Sequence, residues 1–221
     1  MSNPKLTVPA LSACAVLLAS CATSQPDLAD ADIANIAGIE DSFGPPFTVS
    51  TVGPAAIDPR LLGPQTLPEG LTFDPADCGK LANERTLPPD VQGNVAATTA
   101  EGDGVRYIVM AVETSEPVPV NRPSDQCQKV TFTGPGIRGL VEVIEAPQIE
   151  DTDTVGTHRV LQTTTQAGPR TGELYNYVAN FGTFIVIVTA NPLVVPDQPV
   201  ARVDTGRARD LVTRAVELVQ G

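Results

Sequence analysis

The side chains best suited to chemistry in this sequence are four cysteines, one histidine and three tyrosines. Cys21 closes the run Leu18-Ala19-Ser20-Cys21, at the end of an apolar stretch from Leu6 to Leu18 that follows Lys5. Small residues leading into a cysteine at that place have the pattern of a bacterial lipobox. The small side chains fit the narrow sites of processing enzymes, and the thiol is the nucleophile that takes a diacylglycerol. The stretch has the length of a signal-peptide core and is too short to cross a bilayer. Residues 1–20 are therefore expected to leave as a signal peptide, taking Cys14 with them, and Cys21 to become a lipidated N-terminus.

Cys78 and Cys127 then remain as the last thiols. Two cysteines in an exported domain commonly pair, and a disulfide is expected between them. Closing a loop of that length constrains the unfolded chain by roughly 3–4 kcal/mol. A zinc site is not expected, because His158 is the single histidine and neither cysteine has a second one nearby. No cofactor motif is present.

His158 has the chemistry of a general base but no partner in the sequence. No serine sits in a nucleophile-elbow pattern, and no free thiol survives processing. His158 reads as a structural or surface residue of a strand. Asp151 and Asp153 begin like a calcium loop, and Gly156 falls at its sixth position. Val155 at the fifth and Gln162 at the twelfth break the pattern, so an acidic surface turn is expected. Gly134-Pro135-Gly136 lacks the lysine of a phosphate loop and reads as a turn. Glu142 and Glu145 are three apart on a strand, hence on opposite faces, and are read as solvated. Tyr175 and Tyr177 are two apart and share a face. With Arg159 on the preceding strand they form the candidate ligand-binding set, Arg159 meeting an anion. The competing reading is ordinary packing of the tyrosines between sheet and helix.

The elements that must position these residues are mostly strands. Phe47–Val52, Val91–Thr99, Val105–Val112, Lys129–Thr133, Gly139–Ile144, His158–Thr165, Glu173–Ala179 and Thr183–Ala190 read as strands. Turn signals at Glu101-Gly102-Asp103-Gly104 and Asn180-Phe181-Gly182 make two hairpins. Phe184-Ile185-Val186-Ile187-Val188 is apolar throughout and predicts a central strand buried on both faces. Short helices are expected over Asp58–Leu62 and Pro75–Ala82, the second capped by Asp74. Thr205–Val219 predicts an amphipathic helix with Ala208, Leu211, Val212, Ala215 and Val219 on one face. Asp204 or Thr205 would cap it. The fold class is therefore α+β, a largely antiparallel sheet with a C-terminal amphipathic helix and one disulfide. Residues 21–43 read as the lipidated N-terminus and an acidic tether, with Ile33, Ile36 and Ile39 spaced for a short helix inside it. Residues 44–221 read as a single domain.

The formal charge is −12, one unit more negative once Lys5 leaves. Such a surface repels nucleic acid and anionic headgroups, so membrane attachment would come from acyl chains and not from basic side chains.

The lipobox, the acidic segment after it, Leu71-Thr72-Phe73-Asp74-Pro75-Ala76-Asp77-Cys78, the second cysteine at Cys127 and Gly172-Glu173-Leu174-Tyr175-Asn176-Tyr177 together resemble a group of actinobacterial, especially mycobacterial, lipoproteins built on a domain of unknown function. That group is similar to the extracellular sensor domains of mycobacterial serine/threonine kinases. The resemblance implies a disulfide-bridged α+β sensor-like domain with a cleft. The kinase domains usually carry two disulfides, and only one pair is available here. The expected function is that of a non-catalytic cell-envelope lipoprotein on the extracytoplasmic face of the membrane, binding a ligand, lipid or partner protein. An envelope hydrolase, or a structural or chaperone-like accessory protein, is the alternative.

Overall fold

The computed structural model describes residues 28–58, 67–79, 91–118, 120, 122–166, 168–195 and 198–221. The expected signal peptide, Cys21, most of the expected helix at 58–62 and the end of that at 75–82 lie outside them.

Alternating and continuous apolar runs separated by tight turns dictate strands, and the strands join one antiparallel sheet. The strands are β1 (Thr48–Ala56), β2 (Thr72–Asp74), β3 (Gly93–Gly102), β4 (Val105–Thr114), β5 (Lys129–Gly134), β6 (Ile137–Ile144), β7 (Asp153–Thr165), β8 (Gly168–Phe181) and β9 (Phe184–Pro192). Their order across the sheet is β1-β3-β4-β9-β8-β7-β6-β5-β2. The β3–β4 turn places Asp103 at φ 49° and Gly104 at φ 73°, the doubly left-handed pair that matches the twist of adjoining strands. β9 lies between β4 and β8, and its first five residues are all buried, as the apolar run requires. An α-helix, α1 (Thr205–Gln220), follows. The described residues are thus mainly β, with less helix than the expected α+β class implies.

One sheet face packs against α1, capped by the Asp204 carboxylate accepting from the Arg207 N–H at 3.0 Å. Ala208, Leu211, Val212, Ala215, Val216 and Val219 of α1 are buried against Tyr107, Tyr177, Val186 and Val188. The other face of β9 and β4 carries Ile185, Ile187 and Val112, covered by Ile57, Val91 and Val118 from connecting segments. A third cluster joins Phe132 and Val141 to Leu67, Leu71 and Phe73.

The acidic segment read as a tether is only partly one. Residues Ile33–Ser42 form a 3-10 helix, capped by Asp32, whose Ile33, Ile36 and Ile39 are 3%, 0% and 0% exposed. A 3-10 helix has three residues per turn, so isoleucines spaced by three stack on one face, which here enters the main core. The Asp32 N–H also donates to the Val219 carbonyl at 2.9 Å. The packed domain therefore begins by Asp32 and not at Gly44. At the second expected helix, a 3-10 turn covers Ala76–Cys78, and Pro75 precedes it. Asp74 ends β2 and does not cap it.

Cys78 and Cys127 are disulfide-linked, with Cα atoms 5.4 Å apart and a sequence separation of 49. The bridge ties the turn after β2 to the short 3-10 turn ahead of β5.

Two stability outcomes follow from these contacts. Ile36→Ala should cost about 2–5 kcal/mol, the range for emptying a buried aliphatic site, read from the denaturant midpoint; a pure tether over 21–43 would show no such cost. Replacing Cys78 and Cys127 together by serine should lower stability by about 2–5 kcal/mol, read from urea unfolding beside a non-reducing peptide map of the parent.

Candidate functional site

The register of the antiparallel sheet builds one transverse row. Lys129 of β5 lies opposite Glu142 of β6, Glu142 opposite His158 of β7, and His158 opposite Tyr175 of β8. Residues directly opposed across strands share a face at roughly 5 Å between Cβ atoms, so four polar side chains stand side by side. On β9 the row continues with Ala190, opposite Tyr175, and there it passes into the core beneath α1.

His158 is the centre of the row. Its Nδ1 is 3.0 Å from Glu142 Oε1, and its Nε2 is 2.8 Å from Glu173 Oε1. The Tyr175 hydroxyl donates to the same Glu173 oxygen at 2.7 Å. The imidazole stacks on the Tyr175 ring, with centroids 4.4 Å apart and planes 12° from parallel. Lys129 Nζ lies 3.4 Å from Glu142 Oε2. Ionised carboxylates only accept hydrogen bonds, so both contacts of the imidazole are satisfied together only when both ring nitrogens carry protons. The His158 side chain is 14% exposed and its carboxylate partners 31% and 34%, so the cluster is half-sheltered and reachable from solvent.

The neighbours shift two of these groups. The hydrogen bond from His158 holds the Glu142 carboxyl below its ordinary range against the opposing cost of burial, with Lys129 adding to the effect. Burial, then the hydrogen bond to Glu173, raises Tyr175 from 10.0 to about 12.

The residues expected to form a binding set are not brought together. Tyr175 and Tyr177 share a face, as their spacing requires, but Tyr177 is 1% exposed and belongs to the core. Gly156 lies opposite it, and a Cβ there would come within 3.1 Å of the tyrosine ring; the glycine makes room for the ring. Arg159 lies opposite Leu174 and Val141, on the sheet face away from Tyr175, where burial lowers its pKa. Its position one residue after His158 sends it to the other side of the pleat.

Glu142, read as solvated, and Glu173, not singled out as a site residue, are the carboxylates that hold His158. The signal for them was the β7–β8 register: counting outward from the closing pair Thr165–Gly168, seven steps bring His158 opposite Tyr175. The Asp151–Gln162 stretch is no calcium loop, since Asp153 onward is strand. Among the described residues no group of three metal-ligating side chains converges on a point. The Glu142–His158–Glu173 set flanks the ring on two sides and does not surround one position.

A disulfide-stapled antiparallel sheet covered on part of one face by α1 defines a non-repetitive, mainly β domain. The chain belongs to the family built on the domain of unknown function DUF5642, whose model matches residues 32–220. That match begins at the residue capping the buried 3-10 helix. The chain is similar to an uncharacterized Mycobacterium smegmatis protein, the Rv0999 ortholog, of solved X-ray structure. The two are 61% identical, with 87% of this chain and 98% of that chain covered and a TM-score of 0.83. The extracellular domain of PknH from Mycobacterium tuberculosis matches at 13% identity, over 84% of this chain and 92% of that one, with a TM-score of 0.36. No curated protein matches. The chain thus falls in the mycobacterial family of unknown function that the motifs around Cys78 and Tyr175 resemble.

The row has a pH signature. Tyr175 is raised above its ordinary value, so its stabilisation is whole below about pH 10 and is lost as pH rises through about 12. Glu142 is lowered, so its stabilisation is present above the ordinary carboxylate range and is lost as pH falls through its lowered value. Denaturant midpoints measured against pH should show both flanks, and Tyr175→Phe should flatten the alkaline one. A midpoint that falls equally in Tyr175→Phe between pH 10 and 12 would contradict this assignment.

Proposed function

We propose that this chain is an extracytoplasmic lipoprotein, held at the membrane through Cys21, whose domain binds a ligand or partner without catalysing its conversion. The observation that carries the non-catalytic reading is the state of His158. Both ring nitrogens are engaged by carboxylates, so neither is left to take a proton from a nucleophile. Acid–base catalysis needs a base within reach of the proton it removes, and this imidazole is committed to a structural clamp. The lipobox at Leu18–Cys21 and the disulfide both suit an exported chain.

Binding is assigned to the part of the sheet beyond α1, at the polar row of Lys129, Glu142, His158 and Tyr175 with Glu173 beside it. The tyrosine ring supplies apolar contact and the carboxylates and hydroxyl supply orientation. The two grooves along α1, one lined by Ala34, Gly38 and Leu218 and the other by Asp204, Arg207 and Arg214, are open to solvent. Open surfaces of this kind favour a surface-bound ligand or a protein over carriage of a lipid in an enclosed cavity. Tyr177 and Arg159 enter this reading as supports of the sheet, Tyr177 from the core and Arg159 from the far face.

Native mass spectrometry of the full chain in detergent tests both parts. The parent should carry an acyl mass that Cys21→Ser lacks. A co-purifying species should be retained at least about tenfold less well by His158→Gln, a change of about 1.4 kcal/mol, with the melting curve still cooperative. A turnover activity that depends on His158 would overturn the non-catalytic reading.

A further inference from the structure

We infer that the domain stands on the bilayer by one particular end of its sheet, the end carrying the β8–β9 turn, and presents the opposite turns outward. The inference rests on the lipidation of Cys21 proposed above. It adds which surface faces the membrane.

The short leash decides it. Leu28 is packed on the domain at Gly182, where a Cβ would come within 2.5 Å of the leucine side chain. Leu28 is seven residues along the chain from Cys21. An extended chain reaches at most about 3.6 Å per residue, so the Gly182 end lies within about 25 Å of the lipidated residue.

The same end gathers several chain segments. Asp153 opens β7 opposite Asn180, Glu113 near the end of β4 lies opposite Phe184, and the Thr114 N–H donates to the Thr183 carbonyl at 2.9 Å. The C-terminus of α1 joins them through the bond from Asp32 to Val219. At the far end stand the turns at Asp103-Gly104 and Pro135-Gly136 and the β7–β8 turn that Thr165 and Gly168 close. The ten residue steps of β7 from Asp153 to Thr163, the partner of Ile137, span about 33 Å. The leash is therefore shorter than the sheet it holds.

Charge works against direct contact at this end. Asp30, Glu113, Glu116, Glu150 and Asp151 are all exposed there, and the chain as a whole is strongly negative. An anionic bilayer repels such a surface over roughly 8 Å at physiological salt. The leash therefore holds this end near the bilayer while its own carboxylates keep it off the headgroups.

The sequence contains no tryptophan, so one introduced tryptophan is a sole reporter. Glu150→Trp marks the membrane-facing end and Pro135→Trp the far turn, both at exposed positions. Each acylated full-length chain is placed in phosphatidylethanolamine–phosphatidylglycerol vesicles carrying a dansyl-labelled lipid, and energy transfer to the dansyl group is read. Transfer from Glu150→Trp should exceed that from Pro135→Trp several-fold and should rise with added salt. A second pair, Ser115→Trp and Gln166→Trp, samples the same two ends and keeps the comparison independent of either first substitution's effect on folding. Equal transfer from the two ends, or stronger transfer from the far one, overturns the orientation while leaving the anchor intact. A parent chain that carries no acyl mass removes the anchor and the orientation with it.

Discussion

Five consecutive apolar residues, Phe184-Ile185-Val186-Ile187-Val188, cannot be solvated on either side of a strand, and that constraint organises the domain. β9 must be central and must be covered twice. On one side the cover is regular: α1 and the 3-10 helix at Ile33–Ser42 lie over Phe184, Val186 and Val188. On the other it is irregular: Ile57, Val91 and Val118 from connecting segments close over Ile185 and Ile187. At about 1.5–3 kcal/mol for each fully buried aliphatic side chain, this strand is a major source of the domain's stability. The proline-rich connections that look like punctuation in the sequence are also its second roof.

The two helices on the regular face are locked to each other as well as to the sheet. The Asp32 N–H reaches the last turn of α1 at Val219, while at the other end the Tyr107 hydroxyl donates to the Asp204 carbonyl at 3.4 Å and Arg207 lies over the Phe47 ring at 5.1 Å. The chain entry and the C-terminal helix thus close one layer. An acidic segment that composition alone marks as a spacer becomes part of the core because its isoleucines recur every three residues.

Beyond the edge of that helical layer the same sheet face turns polar. There, among the described residues, α1 no longer covers the sheet, and the row from Lys129 to Tyr175 satisfies itself sideways, strand to strand. His158 bridges two carboxylates that would otherwise repel each other, and the tyrosine ring shields its flat side. Without the imidazole, Glu142 and Glu173 would face one another half-sheltered; with it, the row is a rigid polar surface suited to contact.

Much of this was legible from local pattern. Alternation, the two-residue turns at Asp103-Gly104 and Gly182-Thr183, the five-residue apolar run and the heptad-like face of α1 are short-range signals. Most elements follow them, because hydrogen-bonding period and side-chain direction are set by the backbone itself, though β7 and β8 each begin five residues ahead of the expected starts and the short β2 was not expected. The pairing of Cys78 with Cys127 was legible too, since the expected processing at Cys21 leaves just these two thiols. What the sequence could not supply was register between strands. Tyr175 and Tyr177 share a face by spacing, but whether that face is core or surface depends on where α1 ends above it. Arg159 and His158 differ by one residue, and only the pairing of β7 with β8 decides which of them meets Tyr175. Glu142 and Glu173, far apart in sequence, become one site through that pairing alone. A one-residue slip would exchange the faces, so the elements belong to the sequence while the site belongs to the tertiary alignment of its strands.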